Sequence, residues 1–359
     1  MNDDIDKEMQ NEPTSREIMD CKRVFNRMHV PAPDVEAEWK KFSDQRQTPL
    51  FVRRTKKRNL VIGFIVGAAA SVALLFGAYR YFIEPNMIKP IQVFNAEAAN
   101  KDVVLSSNVG DNYSLSNTTA FSRLQTKGIQ ANKDSMVYAK AAASVQSKMM
   151  TLTTPRGKDY HLTLSDGTRV WLNADSKLNF PEHFAGGTRV VQLQGEAYFE
   201  VSKDKAHPFI VSTKTFSTQV LGTKFNMRAY SASDANVVLL EGKVMLTSKK
   251  APSYHQMLAP GEKAELTESG AFSIHTVDTY SFTQWKDGYF YFNNVPLVDI
   301  MQEMGRWYNV DIVIENPRKM HTRLHFVANR NQSLSAALEN LNMMEEVHAV
   351  LSDGKVYIR

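Results

Sequence analysis

Four carboxylates, Asp166, Glu196, Glu200 and Glu241, stand in one strand-rich stretch, where two facing acids could act as general acid and base on a glycosidic bond. Nothing in their spacing demands a cleft, and solvated charges at strand edges are the simpler reading. His321 and His325 are four apart, a metal-binding interval on a helix. The local pattern is strand or turn, however, which would set them about 13–14 Å apart, too far for one ion. No G-x-S-x-G, H-E-x-x-H, P-loop or G-x-G-x-x-G occurs. The single cysteine, Cys21, rules out a disulfide framework and zinc sites built on several cysteines. The chain therefore reads as a non-enzyme with no catalytic residue, metal site or cofactor.

The elements around these residues change character along the chain. From about Leu152, "YHLTLSDGTRVWLN" alternates around Ser165-Asp166-Gly167, a hairpin signal. Gly195, Gly222, Gly242 and Gly261 each precede an alternating strand, as bulges or tight corners require. Residues 150–284 are thus predicted as an all-β domain, roll or solenoid-like, although a plain sandwich would also tolerate the pattern. In residues 285–359, Pro296 opens a helix with Leu297, Ile300, Met301, Met304, Trp307 and Tyr308 on one stripe. Ser333 caps a second helix, and Asp353-Gly354 closes a final hairpin. The order β-α-β-β-α-β-β describes a small α+β domain. Its last strand, Lys355, Val356, Tyr357, Ile358 and Arg359, has no tail to cover it and is the expected recognition edge.

Upstream, Leu60 to Tyr79 is a run of 20 residues without a charge, about 30 Å of helix and so a bilayer's hydrocarbon thickness. Arg53, Arg54, Lys56, Lys57 and Arg58 crowd its N-terminal side, which predicts residues 1–59 in the cytosol and the remainder outside the inner membrane, a single-pass protein. Gly63, Gly67 and Ser71 are spaced by four, the small-residue pattern of close helix approach. The net charge of +5 includes that juxtamembrane cluster, so it does not call for nucleic acid. Ahead of the cations, Ile18, Cys21, Phe25 and Met28 form one apolar stripe and Val35, Trp39 and Phe42 another. These two short helices have no room for a private core and suit a partner's surface. Residues 80–149, rich in Asn, Ser, Ala, Thr and Lys, read as a linker.

With these motifs in view, "LTLSDGTRVWLNADSKLNFP", "LQGEAYFEVSKDKAHPFIV", "VLGTKFNMRAY" and "LAPGEKA" resemble the FecR-type family of anti-sigma factors and cell-surface signalling regulators. "WKDGYFYFNNVPLVDIMQEMGRWYNVDIVIE" is similar to the C-terminal domain of the Bacteroidetes branch, akin to the short N-terminal domain of secretins and TonB-dependent transporters. The resemblance implies a relay. The cytosolic segment would hold an extracytoplasmic-function (ECF) sigma factor, through Phe25, Trp39 and Phe42. The exported part would read the N-terminal signalling domain of a substrate-loaded TonB-dependent outer-membrane transporter, and an intramembrane protease would then free the cytosolic piece. Leu60, Gly63, Gly67, Gly77 and Tyr79 mark the span, its glycines being where such cleavage would find a loosened helix. Many family members carry a longer cytosolic domain than the 52 residues ahead of these cations. The alternative is a membrane-anchored periplasmic glycan- or lipid-binding or transport-accessory protein.

Overall fold

A computed structural model of the chain describes residues 36, 37, 40, 71–77, 89–98, 101–139 and 147–359. Two compact units divide it, residues 1–85 and 86–359. In the first, Glu36, Ala37 and Lys40 are helical, and a helix over 71–77 exposes Val72, Leu74, Leu75 and Phe76. Among the described residues no helix is long and apolar enough to cross a membrane. Leu60, Gly63, Gly67 and Tyr79 lie outside the described residues, as do Phe25, Trp39 and Phe42.

The second unit begins with β1 (Ile91–Phe94), which joins a sheet made by the end of the chain. Much of the expected linker is folded. β2 (Val104–Ser107), β3 (Asn112–Ser114), α1 (Thr118–Gln125), β4 (Ile129–Ala131) and β5 (Ser135–Tyr138) all belong to the β domain. These strands are three or four residues long and bury one or two side chains apiece, such as Leu105, Tyr113, Met136 and Tyr138. So short an alternation does not stand out from a polar background. α1 is set by Asn117, whose side chain accepts the Thr119 N–H, and it buries Ala120 and Leu124.

Successive hairpins then fall alternately on two sheets. β6 (Met149–Thr154) and β9 (Ser176–Pro181) pair in the first, with β7 (Tyr160–Thr163) and β8 (Arg169–Leu172) between them in the second. After β10 (Arg189–Glu200), the pair β11 (Phe209–Ser212) and β12 (Phe216–Val220) returns to the first sheet. β13 (Lys224–Ala229) and β14 (Ala235–Glu241) lie in the second, β15 (Val244–Ser248) and β16 (His255–Leu258) in the first. β17 (Glu262–Leu266) and β18 (Phe272–Thr276) complete the second. The all-β expectation holds, and the sheets close on themselves around Leu152, Phe180, Phe199, Phe209, Phe216 and Phe225.

The closure runs through β10, which serves both sheets. Its first half pairs with β9 and, in parallel, with β11, and its second half with β8 and β13. The hand-over is Gly195, at φ +99°, where a Cβ would lie 2.7 Å from the Ser176 Cα. Only glycine leaves that room and accepts that backbone angle. The next residue, Glu196, lies on the strand face opposite the core residues Leu193, Ala197 and Phe199, and it is buried there in the site described below.

β19 (Tyr289–Pro296), α2 (Leu297–Tyr308), β20 (Asp311–Ile314), β21 (Arg323–Asn329), α3 (Leu334–Asn342), β22 (Ala349–Ser352) and β23 (Lys355–Ile358) follow in the expected β-α-β-β-α-β-β order. Ser333 caps α3 by accepting the Ala336 N–H, and α2 buries Leu297, Ile300, Met301 and Met304. The expected recognition edge requires correction. β23 lies between β20, parallel, and β22, antiparallel, with Val356 and Ile358 fully buried. Its backbone is hydrogen-bonded on both sides, Lys355 pairs with Asp311 at 3.3 Å, and Arg359 pairs with Glu315 at 3.0 Å. The chain's end is thus not the sheet's edge. The outer strands of this sheet are β1 and β22, while β19 and β21 form a separate two-stranded ribbon.

Candidate functional site

Among the described residues, the densest cluster of buried charge lies where the β domain meets the C-terminal domain. β10 and β13 pair in register, Glu196 opposite Arg228 and Tyr198 opposite Asn226, and this brings an acid, a cation and an amide together on one face. Glu196 is 5% exposed. Its Oε1 accepts from Asn226 Nδ2 at 2.9 Å, and its Oε2 from Asn173 Nδ2 at 2.8 Å and Arg228 Nη1 at 3.1 Å. Arg228 also donates through Nε to Asp234 at 2.6 Å and through Nη1 to Glu303 of α2. Glu303 in turn accepts from Arg306 Nη1, one helical turn on, at 2.6 Å. An unbroken chain of ions, Asp234, Arg228, Glu303 and Arg306, therefore crosses from one domain to the other.

A second strut runs beside it. Arg330, just past β21, donates from Nη2 to Asn173 at 2.8 Å and from Nη1 to the Trp285 carbonyl at 3.1 Å. Its guanidinium lies 3.8 Å from the centroid of the Trp307 ring, and the Trp307 indole N–H returns to the Arg330 carbonyl at 2.7 Å. Trp285 Nε1 donates to Asn226 at 3.2 Å, which ties this strut to the Glu196 cluster. Arg306 covers the Tyr230 ring at 3.8 Å, and the Tyr230 hydroxyl donates to the Ala174 carbonyl at 2.7 Å.

Burial and pairing pull the two acids in opposite directions. For Glu303, burial alone would raise the pKa, but Arg228 and Arg306 prevail and hold it down at about 2. Burial pushes Glu196 up, against the pull of Arg228. Burial likewise raises Asp159, which Arg330 opposes. Bringing these ions out of water is expensive, and the pairs return that only at one relative placement of their partners. Glu196, Asp234 and Glu303 are each already paired with an arginine, so the cluster ties β13 to α2 rather than presenting a free acid–base pair.

The four carboxylates noted in the sequence are not gathered at one place; only Glu200 and Glu241 share a groove. Asp166 is bound to Arg189 at 2.7 Å, Glu200 to Arg169, and Glu241 to Lys224 at 2.8 Å. Glu200 and Glu241 line an open groove with Arg169, Lys203 and Lys224, each acid already holding its own cation. His321 and His325 are exposed, and among the described residues no cluster could hold a metal ion. Of the charged site residues, sequence reasoning named only Glu196, and it placed Trp307 on the apolar stripe of α2 without its partner Arg330. Glu303 and Arg306 carried a weak signal, since their i,i+3 spacing lies beside the apolar stripe of α2, but such pairs usually face solvent. Arg330 carried none.

Residues 150–245 match the family described as FecR protein, and residues 289–358 the one described as FecR, C-terminal. Both matches fall on the two domains that this junction joins. Two crystal structures of a candidate anti-sigma factor from Parabacteroides distasonis, at 1.65 and 2.50 Å resolution, are similar to the chain. Each is 28% identical and covers 58% of this chain and 98% of its own, with TM-scores of 0.53 and 0.52. No curated protein matches.

Proposed function

We propose that the chain, whose residues 150–245 and 289–358 match the families described as FecR protein and FecR, C-terminal, is a FecR-type anti-sigma factor and a single-pass inner-membrane regulator. Residues 1–59 would hold an ECF sigma factor in the cytosol, and the two-domain unit would receive a periplasmic signal from the signalling domain of a TonB-dependent transporter. An intramembrane protease would act between them. The observation that carries the reading is the order of parts. A block of cations precedes an uncharged stretch, and a two-domain FecR unit follows it. The helix over 71–77 supports it, because Val72, Leu74, Leu75 and Phe76 are 63–75% exposed, a surface suited to lipid rather than water.

Two measurements test the proposal. Tagged residues 1–59, co-expressed with each ECF sigma factor of the source genome, should retain one of them through purification and suppress its transcription in vitro. Alkaline phosphatase fused after Arg359 should be active, and fused after Gln47 inactive. Recovery of no sigma factor, or the reverse fusion pattern, would overturn the reading.

A further inference from the structure

The chain enters its second unit through an edge strand. β1 runs antiparallel to β20, pairing Ile91 with Ile314 and Gln92 with Val313, and its register slips before Phe94. With four residues, two of them exposed, the ladder alone is a weak hold. Side chains from both domains supply the rest. The Phe94 ring lies against Gly305 of α2, where a Cβ would come within 2.6 Å of ring atoms. Arg156, from the turn between β6 and β7, stacks its guanidinium 4.7 Å from the Phe94 centroid. It donates to the Asn95 carbonyl at 2.6 Å and pairs with Glu97 at 3.2 Å. From the C-terminal domain, Asp311 Oδ1 accepts the Ala96 N–H at 2.6 Å. Asn309 brackets Glu97, its Oδ1 accepting the Glu97 N–H at 3.2 Å and its Nδ2 donating to the Glu97 carbonyl at 2.9 Å.

Three of these grips, Gly305, Asn309 and Asp311, belong to the end of α2 and the start of β20. Asn309 terminates α2 in a left-handed conformation, φ +48°, so a shift of that helix end loosens all three together. Arg156 also donates to Asn309 at 3.3 Å, which places the β domain's grip under the same control. We propose that residues 91–97 are a releasable strap, fastened to both domains, through which a movement at the end of α2 reaches the residues preceding Ile91. Its cellular consequence rests on the relay reading above: release would free the segment next to the membrane for proteolysis.

The test uses the full chain in lipid nanodiscs, with Cys21→Ser as background. Gln92→Cys with Val313→Cys, cross-strand neighbours, locks the strap on oxidation. Gly305→Ala loosens it by crowding Phe94, and Phe94→Ala loosens it without altering α2. By hydrogen exchange, amides of residues 91–97 should open about tenfold more readily than those of β23 in the wild type. Either loosening variant should add about tenfold at the strap alone, and the oxidised lock should bring the strap to the rate of β23. In cells carrying a sigma-dependent reporter, the lock should abolish induction that the single Gln92→Cys control retains. Strap amides that exchange together with β23 in every variant, or a locked chain induced like its control, would overturn the strap. A wild type without any reporter response would instead overturn the relay reading, and the exchange rates alone would then decide on the strap.

Discussion

Replacing Glu303 with glutamine removes one charge from the junction with almost no change in shape. Glu303 is the carboxylate that meets both Arg228 and Arg306, so the substitution leaves Arg306, 8% exposed, without an acid among its described contacts. Two routes give the magnitude. Breaking a buried pair from one side costs about 3–5 kcal/mol. Independently, the drop from the ordinary value of 4.5 to about 2 corresponds to about 3 kcal/mol at about 1.4 kcal/mol per unit. The sign follows from linkage: a depressed carboxylate stabilises the fold above its unfolded pKa, and that contribution drains away as pH falls from about 4.5 towards 2. Urea unfolding of the compact unit 86–359 should therefore show Glu303→Gln weaker by about 3 kcal/mol at pH 7 and by about 1 kcal/mol at pH 3. The same variant should separate the melting of the two domains into distinct transitions. A loss below about 1 kcal/mol at pH 7, or one that does not shrink in acid, would refute the view that the junction depends on this ion chain.

Other outcomes follow from single contacts. Gly195→Ala should cost about 2–4 kcal/mol and lower soluble yield, since the bend of β10 admits no Cβ, as thermal melting would show. Arg330→Lys keeps the charge but loses the fork to Asn173 and Trp285 and the stack on Trp307, for about 2–4 kcal/mol and a shift in tryptophan emission. Truncation after Gly354 should unfold the whole C-terminal domain, because β23 is an interior strand; circular dichroism and proteolysis of the fragment distinguish this from a folded domain that lacks only an edge. Under the relay reading, Trp39→Ala should weaken sigma-factor binding by about 2 kcal/mol in calorimetry, and an unchanged affinity would remove Trp39 from the interface.

How much could be read in advance depended on where the stabilising interactions lie along the chain. The order of elements in the C-terminal domain was legible because α2 and α3 carry their own periodicity and caps, and the hairpin at Asp353-Gly354 its own turn residues, both in left-handed backbone. The glycines of the β domain were legible for the same local reason. Strand order was not. That β23 inserts between β20 and β22, and that Ile91–Phe94 returns to pair with residues more than 200 positions away, depends on contacts for which local patterning holds no record. The junction was hidden for a related reason. Glu303, Arg306 and Arg228 look like surface charges singly, and become interior only when two domains meet.

That dependence bears on how such a protein could carry a signal. Most of the hydrophobic burial lies within each domain, in two separate clusters, whereas the contacts between them are ions, amides and stacked rings. Apolar cores resist small displacements because they are densely packed. A charged junction instead has a steep optimum: a shift that parts Glu303 from Arg228 leaves two ions poorly solvated, so intermediate placements are disfavoured. The strap attaches to the same helix, at Gly305, two positions beyond Glu303. A partner that moves α2 would thus act on the junction and the strap together, and the two should respond as one step.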